Sequence, residues 1–477
     1  MLRELLLAIT QVVLAYFVII VVSYSLITLL SWVQVRRYFR RLVHARLQRS
    51  VRSALTPPIS IITSAYNEGE VIVDSVRSML SLRYPEHEVV LTNDGSTDDT
   101  LARLIDAFDM RRVDQPEHAR LATEPVRGVW RSRAHSNLVV IDKPNGGKCD
   151  GLNASINLAR YPLICSVDAD SLLEPDGLLT MVRPFIERPD RTIAAGGVIR
   201  VSNGCEVVRG HVTKTGLPKQ ALPMFQTVEY LRAFTAARTG WSMVNGLLII
   251  SGAFGMFRKD AVIDVGGFAR DSIGEDMELV VRLHKRMREL KRPYHIAFVP
   301  DPVCWTEAPV RLSQLGGQRN RWHRGLTDTL VRHRRMMGNP RYGVVGTLAL
   351  PFFFAFEFLG AFLEVAGYIA VPLAYALGYL NGSAALAFLA LAVLAGICLS
   401  LSALLLEDMA FRRFAEWRDF GRLIVFSVIE NFGYRQIMTL YRVRGFWSYV
   451  RGNHSWGTID RRGFEPADEL QPAVGMR

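Results

Sequence analysis

The sequence predicts an α/β domain on a mainly parallel sheet, inserted between membrane-spanning helices. Three observations carry the prediction. Hydrophobic residues make up 49% of the 477 and charged residues 21%, yet the apolar excess gathers at both ends and leaves a mixed-polarity middle. Within that middle, short apolar β-branched runs alternate with segments of helical periodicity, the pattern of buried parallel strands with helices on both faces. The net charge of +12 is concentrated beside the apolar ends, as the positive-inside rule requires of cytoplasmic flanks.

Leu5 to Val35 carries no charged residue. That exceeds the ~20 residues needed to span a bilayer, so the segment (1–35) crosses with some tilt. Arg36, Arg37, Arg40, Arg41, Arg46, Arg49 and Arg52 follow with no acid among them. The run therefore reads as a permanent anchor with its Arg cluster inside. A signal peptide would have a shorter apolar region ending in small residues. Anionic lipid accounts for the basic patch, and no nucleic-acid partner is expected. Five widely spaced cysteines without a CxxC argue against a disulfide framework or a zinc site and fit a reducing compartment.

Pro57 and Pro58 close the basic linker (36–56) and open the α/β domain (57–308). Ile59 to Thr63 is the first strand, and Val71, Val76, Met79 and Leu80 recur at helical spacing. Val89 to Thr92 is a second strand, followed by a helix from near Thr97 with Asp98 and Asp99 in its first turn. Leu138 to Ile141 is the third, Cys149 to Leu158 a helix, and Leu163 to Val167 the fourth strand. After Pro309, Leu312, Leu315, Trp322, Leu326 and Leu330 alternate at helical spacing with arginines. That pattern predicts a basic amphipathic helix on the membrane surface (309–341). Tyr342 to Leu380 is apolar except for Glu357 and Glu364, and Ala384 to Leu406 is a further span. Arg412, Arg413, Arg418 and Arg422 then mark a cytoplasmic loop. Leu423 to Leu440, which contains Glu430 and Arg435, reads as an interfacial helix, a full crossing being the alternative. The membrane and interfacial helices occupy 342–447, and 448–477 is a cytoplasmic tail.

Three strand ends converge on one edge of the sheet: Tyr66-Asn67-Glu68, Asn93-Asp94-Gly95 and Asp168-Ala169-Asp170. Ligands of open α/β sheets bind beyond the carboxyl ends of the strands. There, the carboxylates of an Asp-x-Asp can hold a hard divalent cation bridged to a diphosphate. Alone, Asp-x-Asp is a common solvated turn; its place at a fourth strand end, with Asp94 at another, favours the metal. Lys148 follows Asn145-Gly146-Gly147 and begins a helix, a position suited to diphosphate charge but equally open to a surface lysine. Gly274-Glu275-Asp276 precedes a helix. Spacing alone makes the acids caps, whereas transfer to a hydroxyl acceptor requires a carboxylate that accepts the hydroxyl's proton, and Asp276 is the candidate.

Ser64-Ala65-Tyr66-Asn67-Glu68, Asn93 to Asp98, Asp168-Ala169-Asp170, Gly274-Glu275-Asp276 and Gln318-Arg319-Asn320-Arg321-Trp322, in that order, resemble the family 2 glycosyltransferases. They are similar in particular to the processive membrane synthases of cellulose, chitin, hyaluronan and poly-N-acetylglucosamine. The resemblance runs from about Pro57 to Trp322, and Gln318-x-x-Arg321-Trp322 marks the polymer-forming branch. It implies a GT-A-type catalytic domain and an inverting transfer from a UDP-sugar donor to the non-reducing end of a β-linked polysaccharide acceptor. By the same resemblance, Asp94 lies at the nucleotide with Tyr66 and Glu68 near base and ribose. Asp168 and Asp170 bind Mg²⁺ or Mn²⁺, and Lys148 and Arg321 meet the diphosphate. Asp276 is the catalytic base, and Gln318, Trp322 and Glu275 hold the acceptor sugar. Trp456-Gly457-Thr458 resembles a motif of hyaluronan synthases near the donor site. Ala65 and Asn93 depart from the common pattern without removing a charge the mechanism needs, and with about a dozen residues after Phe464 no cyclic-dinucleotide module is expected. The implied setting is a multi-pass protein of the plasma membrane with a cytoplasmic catalytic domain. It would extrude its product across the lipid bilayer, with accessory export proteins as further partners. Transfer of one sugar to a lipid carrier, and a non-catalytic translocation or scaffold subunit, are the rival readings.

Overall fold

The computed structural model describes residues 1–44, 56–114, 119–208, 210–411 and 417–452. Twelve strands occur among them: β1 (Ile59–Ala65), β2 (His87–Asp94), β3 (Met110–Val113), β4 (Gly128–Ser132), β5 (Leu138–Lys143), β6 (Leu163–Val167), β7 (Leu172–Leu173), β8 (Thr192–Val201), β9 (Glu206–Val208), β10 (His211–Lys214), β11 (Phe254–Arg258) and β12 (His295–Thr306). Ten form one sheet in the order β3-β4-β5-β2-β1-β6-β11-β8-β12-β7. The expected parallel unit is its centre: β5, β2, β1 and β6 run parallel to one another. Ile59, Ile61, Ile62, Leu91, Leu138 and Ile141 in those strands are wholly buried, each worth roughly 1.5–3 kcal/mol relative to exposure.

The flanks make the sheet mixed. β4 joins β5 antiparallel, β3 joins β4, and β11 inserts antiparallel between β6 and β8. The third strand expected from the sequence is thus the fifth in the chain. β3 reads Met-Arg-Arg-Val and β8 is rich in alanine and glycine, so neither presents the apolar β-branched run that reveals a central strand. Register aligns the centre: Ala65 faces Asn93, Asp94 faces Lys143 and Ile62 faces Ser166. The loops after β1, β2, β5 and β6 therefore leave the sheet at a common edge.

The helices are α1 (Leu2–His44), α2 (Ile72–Leu80), α3 (Thr100–Ala107), α4 (Lys148–Leu158), α5 (Ala221–Tyr230), α6 (Glu275–Glu289), α7 (Leu312–Arg332), α8 (Leu359–Ala376), α9 (Gly382–Phe411), α10 (Trp417–Ile429) and α11 (Tyr434–Val450), among shorter turns. Boundaries move in four places. α1 continues past Val35 to His44, because arginine is a good helix former and nothing in the sequence breaks the helix there. α3 begins at Thr100, with Asp98 outside it accepting the Thr100 N–H at 3.0 Å. α4 begins at Lys148 instead of Cys149. The single interfacial helix expected over Leu423 to Leu440 is two helices, broken at Gly433, whose φ of 101° only glycine adopts readily.

Three described helices are long and apolar enough to cross a membrane: Leu2–Arg40, Val345–Ala376 and Gly382–Met409. Their polar groups point inward. Tyr24 donates to Glu357, Thr439 to Glu364 at 2.6 Å, and Glu430 is enclosed by Arg232 at 2.5 Å, Arg435 at 2.9 Å and Ser400 at 2.7 Å. Arg46, Arg49, Arg52, Arg412, Arg413 and Trp456-Gly457-Thr458 lie outside the described residues.

Candidate active site

The β2 end builds a buried ionic core. Lys143 is fully enclosed and donates to Asp94 at 2.5 Å, Asp150 at 2.7 Å and the Pro144 carbonyl at 2.6 Å. Asp94, 1% exposed, also accepts from the N–H groups of Gly146 at 3.0 Å and Gly147 at 2.8 Å. Asn145 donates to its carbonyl at 2.9 Å. The Asn145 to Gly147 loop is thereby folded onto β2, and Gly147, at φ 88°, turns the chain into α4. Asp94 is expected at the nucleotide; the contacts it makes are with this loop. The neighbouring loop is tied in the same manner, Asn67 accepting from the Thr97 N–H at 2.8 Å. Tyr66 is half exposed beside it.

Lys148 stands where that loop delivers it, at 2.7 Å from Asp168 and 3.1 Å from Glu275. Burial alone would lower its pKa, but Asp168 and Glu275 outweigh that and hold it above the ordinary lysine range. Gly252 makes room for it, since a Cβ there would lie 2.9 Å from Nζ. Asp276, next in line, is pushed up to about 6 by burial and then by the Glu275 charge, against Lys148, the Met277 N–H and Arg238. A carboxylate so placed is ionised at neutral pH yet basic enough to accept a proton.

The acidic turn meets α7 through two glycines. A Cβ on Gly274 would lie 2.8 Å from the Gly325 Cα, and one on Gly325 equally close to the Gly274 Cα. Backbone against backbone leaves no flexible atom to yield. Gly325→Ala is therefore expected to cost about 1–3 kcal/mol and to lift α7 from Glu275 and Asp276, lowering kcat more than donor affinity. A variant that melts with the parent and turns over at its rate would refute the contact.

Along α7, Gln318, Arg321 and Trp322 face a cavity of about 360 Å³ that also takes in Lys148, Asp168, Glu275 and Asp276. Trp322 is 45% exposed, with the Arg319 guanidinium 4.1 Å from its ring centroid and Arg319 itself pinned to Glu229 at 2.9 Å. Tyr66, Glu68, Asp94 and Asp170 are not on this cavity's wall. A second cavity of about 330 Å³ lies among the long apolar helices. Glu229, Arg238, Phe353, Glu357, Met438 and Arg442 line both.

Sequence reasoning missed Lys143, Asp150, Glu229 and Arg238. A lysine that ends an otherwise apolar strand, opposite a strand-end aspartate, was a signal for the first. The others come from segments without a motif. No group of three or more His, Cys, Asp or Glu arranged for a metal occurs among the described residues. Asp168 and Asp170 offer two half-buried carboxylates. That set fits a magnesium-like ion, which keeps waters and takes phosphate oxygens beside one or two carboxylates.

Residues 57–325 match the family described as Glycosyltransferase like family 2. The chain is 30% identical over 274 residues to a poly-beta-1,6-N-acetyl-D-glucosamine synthase of Staphylococcus epidermidis, covering 57% of this chain and 56% of that one. It is 28% identical over 275 residues to the protein of the same description from Staphylococcus aureus (strain COL), again with 57% and 56% covered. It thus spans little more than half the length of these relatives. Among solved structures it is similar to the mannosyltransferase PcManGT from Pyrobaculum calidifontis, in complex with GDP-Man and Mn²⁺. The TM-score is 0.55 at 16% identity, over 92% of this chain and 99% of that one, a likeness of the GT-A glycosyltransferase fold. With more than half of its residues inside the family match, the chain belongs to the family 2 glycosyltransferases.

Proposed function

We propose that the protein is an inverting membrane polysaccharide synthase that adds sugars from a UDP-sugar to a β-linked polymer and passes the product into the membrane. The observation that carries this reading is the shared wall of two cavities, one holding Lys148, Asp276 and Trp322, the other lying among the membrane helices. A single transfer to a lipid carrier explains the donor site but leaves the second cavity without a use. The staphylococcal relatives are synthases of a β-1,6-linked N-acetylglucosamine polymer, so UDP-N-acetylglucosamine is the first donor to test.

The nucleotide lies along the β1 and β2 ends, with Tyr66 and Glu68 at base and ribose and Asp94 bracing the loop that delivers Lys148. Asp168 and Asp170 would hold Mg²⁺ or Mn²⁺, which would supply positive charge for the diphosphate. Lys148 and Arg321 add fixed cations at the leaving group, which stabilise charge where it develops. Trp322 stacks on the terminal sugar, and Gln318 orients its hydroxyls. Glu275 fixes Lys148 beside the donor and borders the acceptor. Asp276 takes the proton of the attacking hydroxyl as the new glycosidic bond forms on the face opposite the departing diphosphate. The catalytic domain faces the cytoplasm, where UDP-sugars are made, and Glu357 and Glu364 help hydrate the path through the bilayer.

The test is purified full-length protein in lipid nanodiscs with Mg²⁺ or Mn²⁺ and a panel of radiolabelled nucleotide sugars. Product of high molecular weight is the expected result. Lipid-soluble product would replace the reading with single transfer, and the absence of turnover with every donor would favour a scaffold.

A further inference from the structure

Between α5 and a short helical turn (Thr239–Met243), residues Leu231–Arg238 wind as a π-helix. Such segments are rare and concentrate at functional sites. Its polar groups are fixed by the membrane helices: Ser31 donates to the Ala236 carbonyl, Thr235 to Glu407 at 2.9 Å, and Arg232 to Ser400 at 2.7 Å and to Glu430. Arg238, the last residue of the segment, is different. Its guanidinium lies 3.7 Å from the Phe234 ring centroid, and Nη1 is buried with no hydrogen-bond partner among the described residues. The side chain lines both cavities where their walls coincide. A buried donor without a partner is costly in the folded state, and its presence on a cavity wall points to a partner that arrives with a ligand.

We propose that Arg238 is an acceptor-positioning residue, donating to hydroxyl or carbonyl oxygens of the glycan unit behind the terminal sugar as it passes from the catalytic cavity to the inner one. Three features choose this ligand. The guanidinium is a pure donor, and a glycan is rich in acceptor oxygens. Phe234 holds its plane against the wall, so little rotamer freedom is lost on binding. The location is beyond Trp322 along the route the polymer takes, which rests on the synthase reading above. By retaining the polymer between additions, Arg238 acts on product length more than on the chemical step. It also sets part of the field at Asp276, so a role through acceptor contact must be separated from a role through the base.

The experiment uses full-length protein in nanodiscs, UDP-N-acetylglucosamine as donor and a β-1,6-linked N-acetylglucosamine tetramer as acceptor probe, comparing the parent with Arg238→Met and Arg238→Lys. The expected result for Arg238→Met is a rise of roughly tenfold in the tetramer's KM and Kd, the loss of one charge-assisted hydrogen bond, with shorter polymer. The acid limb of the pH–rate profile moves slightly to higher pH, as the loss of a cation facing Asp276 requires, while Arg238→Lys keeps the limb and recovers part of the affinity. Unchanged tetramer binding and polymer length would overturn the assignment, as would equal losses of tetramer and donor binding, which indicate general misfolding. A shifted acid limb with unchanged tetramer affinity would overturn it in favour of an effect through Asp276. If the parent binds tetramer but makes no polymer, the synthase reading fails alone, and the binding comparison still decides Arg238.

Discussion

Replacing Asp276 with asparagine is expected to lower glycosyl transfer by about 10²–10⁴-fold, the range for loss of a positioned general base, while nucleotide affinity changes little. The asparagine keeps the size of the side chain and its place at the start of α6, so the cavity is preserved and only the proton acceptor is lost. The same group sets the pH dependence. Burial and the Glu275 charge raise its pKa to about 6. The reactive species is the carboxylate, so activity is full above that value and falls as pH drops through it, close to tenfold for each further unit. Steady-state rates between pH 4.5 and 8, with donor binding measured by isothermal titration, check both statements. An Asp276→Asn protein that keeps a tenth of the parent rate, or a parent profile flat to pH 4.5, would remove Asp276 from the role.

Lys143→Met is expected to be the most damaging substitution for stability in the catalytic domain. Lys143 is the cation between Asp94 and Asp150, and all three are buried. Without it the two carboxylates face each other, with the loop N–H groups of Gly146 and Gly147 on one side and the Glu124 N–H, at 3.1 Å, and the exposed Arg270, at 2.8 Å from Asp150, on the other. Breaking a buried pair by removing one partner costs about 3–5 kcal/mol, equivalent to a fall in Tm of roughly 10 °C for a domain of this size. The loss is local in origin, so the Asn145 to Gly147 loop should gain hydrogen exchange before the rest of the domain, and Lys148 should lose its fixed position beside Asp168. Lys143→Met combined with Asp150→Asn should recover part of the Tm, because it removes one of the unpaired charges. A single variant melting within 2 °C of the parent would show that the cluster is not what holds the loop.

Strand ends and glycines carried much of the site in linear form. Asp168, Lys148, Glu275, Asp276, Gln318, Arg321 and Trp322 were each named from position and motif, and the fold brings all seven to one cavity. For Asp168 and Lys148 the reason is geometric: parallel strands end on the same edge, so a residue just after such a run is committed to that edge, whereas Glu275, Asp276 and the α7 residues meet them through the Gly274–Gly325 contact. Asp94 was named as well, but its burial and its grip on the following loop depend on Lys143 across the sheet, a pairing set by strand register. The break at Gly433 was missed because the apolar run was followed across it, although a glycine after Asn431 and Phe432 is itself a helix stop signal. A positive φ is a property of the folded path, as is the close approach of Gly274 to Gly325.

The sequence by itself determined the layering of this protein: an apolar segment at each end, an α/β core between them, and acids at the strand ends, all dictated by local hydrophobic period and by which residues can leave a sheet. Only the tertiary structure decided how α7 abuts the acidic turn, why Asp276 is more basic than an ordinary aspartate, and where Arg238 stands between two cavities. Those are consequences of contacts between segments far apart in the chain. Burial, register and electrostatic coupling act through space, and no local pattern encodes them.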